Sequence, residues 1–171
     1  MPISPPFNLM KWIDDNRDLL RPPVSNQAIW QDGDFIVQII GGPNTRTDYH
    51  VDPYEEIFFQ LTGHMVLPVI EDGAPRDIPI REGEIFLLPA FVPHSPQRPD
   101  PNGIGLVVER TRPAGVKDAF EWYCEKCGDR VHRAEVQLTD IVGDLPPVFA
   151  AYNENAELRK CPSCGHDHPA R

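Results

Sequence analysis

The sequence predicts an all-β fold, a barrel or sandwich of short strands, and two observations lead to this prediction. First, proline makes up 20 of the 171 residues, or about 12% of the chain, whereas proline is typically about 5% of a protein's residues. Proline lacks the backbone donor that helix interiors and central strands require. Second, short apolar runs recur along the chain and glycine or proline separates nearly all of them, a pattern typical of short strands joined by fixed turns.

The elements follow in order. Residues 7–20 space their apolar side chains as a short amphipathic helix does, and prolines end it. Strands are predicted at residues 28–30, 35–40, 57–61, 65–70, 77–80, 85–88 and 105–109. Residues 134–142 are predicted to form a short helix or strand. After Pro113 strand-like runs become fewer, so we place a boundary there: residues 1–113 form the main domain with the N-terminal helix, and residues 114–171 form a C-terminal extension.

Charge and hydropathy exclude several classes of function. The net charge is -10, and a nucleic-acid-binding protein would need a concentrated basic surface that this chain lacks. No run approaches the roughly 20 apolar residues of a membrane span. The N-terminus has no basic region followed by an apolar block, as a signal peptide would. We therefore expect a soluble cytoplasmic protein without nucleic-acid or membrane partners.

Two segments carry a candidate metal site. His50 and Glu56 lie six positions apart, and His94 follows the predicted strand at 85–88. Two imidazoles and one carboxylate can occupy one face of an octahedral metal and leave positions open for substrate and dioxygen, as in non-haem Fe(II) oxygenases. Asp52 and Glu55 are the alternative carboxylates.

These segments resemble the two cupin motifs. Six residues separate Glu56 from Gly63, as in the first motif, and Gly83, Pro89 and His94 follow the order of the second. The resemblance covers about residues 35–110 and implies a double-stranded β-helix, or jelly-roll barrel. Asp52 stands where many cupins have a second histidine, which favours a two-histidine, one-carboxylate site.

The four cysteines form a second candidate metal site. They are arranged as two Cys-x-x-Cys pairs, each followed by glycine: Cys124, Cys127, Cys161 and Cys164. Such pairs bring four thiolates to one tetrahedral Zn or Fe. Two disulfides or four inert thiols are the alternatives, and the absence of a secretion signal argues against disulfides. A four-thiolate site has no open position, so we predict a structural role.

Longer strings resemble one family of cupins. The runs that begin at Trp30, Gly41, His94, Val108 and Phe120 closely resemble bacterial 3-hydroxyanthranilate 3,4-dioxygenases, nearly from end to end. Members of that family open the ring of 3-hydroxyanthranilate with O2 and give 2-amino-3-carboxymuconate semialdehyde. The step belongs to the kynurenine route of tryptophan breakdown, which leads toward quinolinate and NAD, or in some bacteria to 2-nitrobenzoate catabolism.

The resemblance also implies roles for individual residues. Fe(II) would be held by His50, Glu56 and His94, and the substrate by Glu56, Arg98 and Glu109. Arg46 would lie beside bound oxygen, and Arg46 and Glu109 would act in catalysis. The cysteines would hold a second Fe or Zn. The family implies a homodimer.

The substrate's chemistry agrees with these residue types. Its adjacent hydroxyl and amino groups can chelate iron, and its carboxylate suits the planar fork of Arg98. Arg46 would stabilise developing negative charge, whereas Glu109 could position Arg98, contact the substrate, or both. Asn26, Pro96, Ile141 and Leu145 are further candidates for the pocket lining. Two alternatives remain: another iron cupin dioxygenase with a different substrate, and a non-catalytic metal-binding cupin sensor.

Overall fold

A computed structural model of the protein describes residues 3, 5–22, 25–139 and 141–170, with the backbone alone at 141 and 142. In order, the chain forms α1 (Leu9–Asp15), a 3-10 helix (Arg17–Leu20), β1 (Asn26–Trp30), β2 (Phe35–Gly41), β3 (Asp48–Val51), β4 (Glu56–Thr62), β5 (His64–Glu71), β6 (Ala74–Arg81), β7 (Ile85–Leu88), β8 (Ile104–Arg110), β9 (Asp118–Tyr123), β10 (Arg130–Val136), α2 (Ile141–Glu154) and α3 (Ala156–Arg159). Each of the seven predicted strands lies within an observed one, so the all-β prediction is confirmed.

Two antiparallel layers build the fold. One is a five-stranded sheet in the order β1-β2-β8-β4-β7. The other joins β10-β9-β3 to the β5-β6 hairpin through the segment 94–97, which bridges to both. Side chains alternate along β5, so Met65, Leu67 and Val69 point to one face. They pack with Phe58 of β4 and Val107 of β8 in a shared core between the layers.

The N-terminal helix is shorter than predicted. Asn8 caps α1 by accepting a hydrogen bond from the Lys11 amide at 2.9 Å. The helix stops because the Asn16 side chain donates to the carbonyl of Trp12 at 2.7 Å, and the 3-10 helix follows. Ile13 of α1 and Leu20 of the 3-10 helix are nevertheless buried in the same hydrophobic core.

The C-terminal part of the chain completes the second layer. β9 pairs with β3 on one side and with β10 on the other. The predicted helix or strand at 134–142 divides in the structure, because β10 ends at Val136 and α2 begins at Ile141. α2 packs Leu145 and Phe149 against Phe120 and Trp122 of β9. The boundary near residue 113 stays a prediction. In the described part of the chain, no helix is long and apolar enough to cross a bilayer.

Candidate active site

A cavity of about 570 Å³ opens between the two layers and α2. Nearly every residue singled out for the catalytic site lines it, and so do side chains that the sequence did not indicate. The lining includes Asn26, Arg46, His50, Glu56, His94, Pro96, Arg98, Glu109, Phe120, Trp122, Leu138, Leu145 and Phe149. Asn26, Pro96 and Leu145 thus lie where they were expected, whereas the side chain of Ile141 falls outside the described residues.

The two histidines and Glu56 converge at one point of this cavity. β3 carries His50, β4 begins with Glu56, and the backbones of His50 and His94 bond each other at 2.7 and 2.9 Å. Glu56 Oε1 lies 3.0 Å from His94 Nε2 and 3.4 Å from His50 Nδ1. One potential ligand atom from each residue lies within 4.8 Å of the others. The fold therefore brings together three residues that are distant in sequence.

Hydrogen bonds fix how both imidazole rings face this point. His94 Nδ1 lies 3.0 Å from the carbonyl of Val92, so this nitrogen donates and Nε2 is directed at Glu56. His50 Nε2 lies 2.7 Å from Asp118 Oδ2, which leaves Nδ1 facing Glu56. A metal-ligating histidine commonly donates its other ring nitrogen to a carbonyl or carboxylate in this way.

The three residues fit a metal ion. Glu56 Oε1 is buried and has no hydrogen-bond donor among the described residues, although two ring nitrogens lie close to it. Two imidazoles and one carboxylate form the donor set that suits a divalent transition metal. The alternative carboxylates are placed differently, because Glu55 is exposed and Asp52 is paired with Arg112 at 2.7 Å.

The electrostatics of the site favour positive charge near its carboxylates. Burial would lower the pKa of His50, but the hydrogen bond with Asp118 and the neighbouring Glu56 outweigh burial and raise that pKa to about 10. Burial would raise the pKa of Glu56, yet charge on His94 and His50 holds the pKa well below its usual value. A carboxylate that stays ionised in a buried site suits a cation beside it.

Arg98 is a buried cation with unused donors. Its side chain is 2% exposed, and Nε and Nη2 have no hydrogen-bond partner within the described chain. Burial, assisted by the charge of Arg46, lowers the pKa of Arg98 to about 10. The guanidinium lies beside Gly105, where an added Cβ would stand 3.4 Å from Nη2 and 3.1 Å from Gln60 Oε1. Glycine thus leaves the space that the guanidinium uses.

Arg46 lies at the cavity wall on the loop between β2 and β3. Its guanidinium forms an ion pair with Asp48 and lies 5.9 Å from the ring centroid of Phe120. The Arg46 backbone is held by Gln97, the neighbour of Arg98. In addition, two backbone-to-backbone hydrogen bonds, both 2.8 Å long, join Asn44 to Arg98. The two arginines are therefore carried by paired segments of chain.

Glu109, next to the last residue of β8, lies inside a buried polar network. Gln38 donates to its Oε1, and Arg112 pairs with its Oε2 at 2.6 Å. Burial and the nearby Glu56 raise the pKa of Glu109 above its ordinary value. Arg112 and Asp118 were missed by the sequence analysis, because no spacing rule distinguishes them from surface charges. Only the fold brings them to the site.

The cysteines meet at the far end of β9. Cys124 and Cys164 are 3.6 Å apart at sulfur, and so are Cys127 and Cys161. These distances are far longer than the roughly 2.05 Å of a disulfide, and all four thiols are free. Gly128 and Gly165 follow the two knuckles with φ of 81° and 70°, which other residues adopt rarely. The predicted four-thiolate cluster is confirmed as a geometry that can hold a metal.

A two-layered β-barrel with two histidines and a glutamate at its mouth, joined to a four-cysteine cluster, defines a metal-binding cupin. The chain belongs to the 3-hydroxyanthranilic acid dioxygenase family, which it matches over residues 1–153. The resemblance inferred from the sequence is thereby confirmed.

Named relatives span nearly the whole chain. The 3-hydroxyanthranilate 3,4-dioxygenase of Paraburkholderia phytofirmans is 56% identical over 166 residues, covering 97% of this chain and 95% of the relative. That of Xanthomonas oryzae pv. oryzae is 54% identical over 168 residues, covering 98% and 94%. Among solved structures, hydroquinone 1,2-dioxygenase from Sphingomonas sp. TTNP3 has a TM-score of 0.48 at 24% identity, covering 65% of this chain and 33% of that one.

Proposed function

We propose that this protein is a 3-hydroxyanthranilate 3,4-dioxygenase, which opens the ring of 3-hydroxyanthranilate with O2 to give 2-amino-3-carboxymuconate semialdehyde. Membership of the family over residues 1–153 supports this assignment. One observation carries it at the site: a buried arginine with unpartnered donors lines the same cavity as the two-histidine, one-glutamate cluster. The reaction belongs to tryptophan degradation by the kynurenine route.

His50, Glu56 and His94 are proposed to hold Fe(II). Iron bound there would supply open positions for the hydroxyl and amino groups of the substrate and for dioxygen. The protein's own contribution is orientation: Asp118 and the Val92 carbonyl fix the two rings, so that one nitrogen of each faces the metal.

Arg98 is proposed to bind the substrate's carboxylate. The Arg98 guanidinium lines the cavity and could form parallel hydrogen bonds to a carboxylate there, and charge-assisted pairs of this kind are stronger than neutral ones. A buried cation without a partner is unfavourable, so the anionic substrate would relieve that cost. An ortho-substituted aromatic acid is therefore favoured over a substrate without a carboxylate.

Glu109 and Arg46 are proposed to act beside the reacting groups. The raised pKa of Glu109 suits a carboxyl that holds or accepts a proton from the substrate's hydroxyl or amino group. Arg46 lies in the cavity wall and would stabilise negative charge that develops on oxygen. Glu56 would also border the substrate.

The four cysteines are proposed to hold Fe or Zn in a structural role. Their closed donor set leaves no position for a substrate, and they lie outside the residues that line the cavity. The cytoplasmic location and the homodimer remain predictions.

The function is tested by oxygen uptake. Protein reconstituted anaerobically with Fe(II) is mixed with 3-hydroxyanthranilate and O2, and the ring-opened product is followed by absorbance. We expect one O2 consumed per product formed. No uptake by protein that demonstrably contains iron would reject this substrate and direct the search to other ortho-substituted aromatic acids.

A further inference from the structure

Arg112, to which the proposed function gives no role, lies at the centre of a buried network of charged groups. Its side chain is 1% exposed, and each of its three nitrogens has at least one acceptor. Nε bonds Asp118 at 2.9 Å, and Nη1 bonds the Arg110 carbonyl at 2.7 Å and pairs with Glu109 at 2.6 Å. Nη2 pairs with Asp52 at 2.7 Å and with Asp118 at 2.6 Å. The planar guanidinium thus satisfies its donors with three carboxylates and one carbonyl.

Each of these carboxylates comes from a different part of the fold. Asp52 follows β3, Glu109 lies at the end of β8, and Asp118 begins β9. A single cation therefore joins three chain segments around the cavity. A lysine could not replace it, because a compact ammonium lacks the rigid fork that meets several carboxylates at once.

Two of the three carboxylates contact either a proposed metal ligand or the cavity. Asp118 Oδ2, which accepts from Arg112, also bonds His50 Nε2 at 2.7 Å. Glu109 lines the cavity directly. The third, Asp52, uses its other oxygen to accept the Tyr54 amide at 2.8 Å and forms no hydrogen bond with His50.

We propose that Arg112 is a positioning residue that fixes the metal ligand His50, through Asp118, and the cavity carboxylate Glu109 in one mutual orientation. The part concerning Glu109 rests on the proposed function. The part concerning His50 rests only on the fit of the three residues to a metal. Asp118 sets the ring so that Nδ1 faces Glu56 Oε1 at 3.4 Å. Arg112 in turn sets Asp118.

The His50 arm is tested with a matched pair of variants. Asp118→Asn and Asp52→Asn each remove one negative charge that pairs with Arg112, but only Asp118 bonds His50. Cobalt(II) is titrated into protein whose four-cysteine site already holds zinc, and binding is read from its visible absorption bands. We expect Asp118→Asn to weaken cobalt binding 10- to 100-fold and Asp52→Asn to weaken it less than threefold. Equal losses in the two variants would overturn the proposal.

The coupling is tested with Arg112→Lys and Glu109→Gln. Arg112→Lys is expected to weaken cobalt binding and also to raise the KM for 3-hydroxyanthranilate, each at least fivefold. Glu109→Gln is expected to raise KM and leave cobalt affinity within twofold. A folded Arg112→Lys variant with native values for both would reject the proposal, and circular dichroism checks folding. If that variant does not fold, the Asp118 and Asp52 pair decides.

The two proposals can fail separately. If the unmodified protein with iron bound consumes no oxygen with 3-hydroxyanthranilate, the proposed function fails, while cobalt affinities still test the role of Asp118. If turnover is normal but Asp118→Asn binds cobalt as tightly as the unmodified protein, only the positioning role fails.

Discussion

The carboxamide of Gln97 binds both backbone polar groups of Arg46. Its oxygen accepts from the Arg46 amide at 3.2 Å, and its nitrogen donates to the Arg46 carbonyl at 2.8 Å. The same nitrogen also reaches the Ser95 hydroxyl at 2.9 Å. One side chain therefore fixes the loop that carries Arg46 against the segment that carries His94 and Arg98.

Replacing Gln97 by glutamate should misplace Arg46. A carboxylate keeps the shape of the carboxamide but cannot donate, so the Arg46 carbonyl would lose its partner and face a negative oxygen. The contact is half-buried, so the lost hydrogen bond costs less than the roughly 1–3 kcal/mol of a fully buried unsatisfied group. We expect kcat/KM for 3-hydroxyanthranilate to fall about 10- to 100-fold while the metal content measured by mass spectrometry stays unchanged.

Gln137→Glu is the matched control for this change. The Gln137 carboxamide accepts from the Gly115 amide at 2.8 Å and donates to the Val116 carbonyl at 3.0 Å, but it does not line the cavity. We expect a similar loss of stability with turnover near the original rate. Equal loss of turnover in both variants would assign the effect to general destabilisation.

Gly105→Ala should weaken binding of the substrate's carboxylate. The new Cβ would stand 3.1 Å from Gln60 Oε1, tighter than ordinary contact, and would touch Arg98 Nη2 at 3.4 Å. Gln60 must give way beside the guanidinium, so KM for 3-hydroxyanthranilate is expected to rise about tenfold, whereas turnover of 2-aminophenol, which lacks the carboxylate, should change little. Gly33→Ala, where the Cβ meets nothing within 4 Å, is the control. An equal effect on both substrates would contradict the role given to Arg98.

His50→Ala should abolish iron-dependent oxygen uptake. The variant removes one of the three proposed ligands and leaves Asp118 without its imidazole partner. We expect loss of about one equivalent of iron while the four-cysteine metal is retained, as measured by elemental analysis. His64→Ala removes an exposed histidine and should retain iron and activity. Normal turnover in His50→Ala would reject the assigned site.

Cys124→Ser should reduce the metal content and the stability of the protein more than it reduces the rate of turnover. Its sulfur lies 3.6 Å from that of Cys164, so the substitution opens the cluster that ties the C-terminal knuckle to the end of β9. We expect loss of the second metal and a melting temperature lower by several degrees, with at least a third of kcat retained after reloading with Fe(II). Complete loss of turnover in a folded variant would contradict a structural role.

The ion pairs of Glu121 should make stability depend on pH. Burial would raise the pKa of this carboxylate, but hydrogen bonds from Tyr123 and Arg133 outweigh burial and lower the pKa below its usual value. A carboxylate with a lowered pKa stabilises the fold above its unfolded pKa of about 4.3, and this contribution is lost as pH falls through the folded value.

Urea unfolding of the unmodified protein and of Glu121→Gln measures this effect. The variant should be less stable at pH 7, and the two free energies of unfolding should converge as pH falls below about 4.3. Glu135→Gln removes an exposed carboxylate from the same Arg133 and serves as the control. Parallel curves for Glu121→Gln and the unmodified protein would refute the prediction.

The sequence pattern predicted the strands in which apolar and polar residues alternate. It also predicted the site residues that belong to recognisable motifs. The seven predicted strands came from the spacing of apolar runs, and the cluster of His50, Glu56 and His94 came from the resemblance of two segments to the cupin motifs. β3 and β9 were missed. β3 contains His50 and Asp48, polar residues directed to a cavity, so its sequence reads as a loop. Every residue of β9 from Asp118 to Trp122 is buried, and the alternation that reveals a half-exposed strand is absent.

The supporting residues could not be predicted for a different reason. Arg112 and Asp118 are ordinary charges in sequence, and their importance comes from pairing across the ends of three strands. Such pairing depends on register, which one-dimensional spacing does not contain. The wall that α2 contributes through Leu145 and Phe149 depends likewise on how that helix packs. The residues that carry the chemistry of the site could thus be predicted from the sequence. The residues that hold them in place could be identified only from the fold.

The pairing of His50 with Phe120 sets an order of events during synthesis. The three proposed ligands lie within the first 94 residues, yet β3 remains an open edge until residues 118–123 leave the ribosome and pair with it. Asp118 emerges with that same strand. A growing chain therefore contains all three proposed ligands before it contains Asp118, the residue that orients the His50 ring. We expect the metal site to mature only after the last strands have folded, because domains fold as units during synthesis.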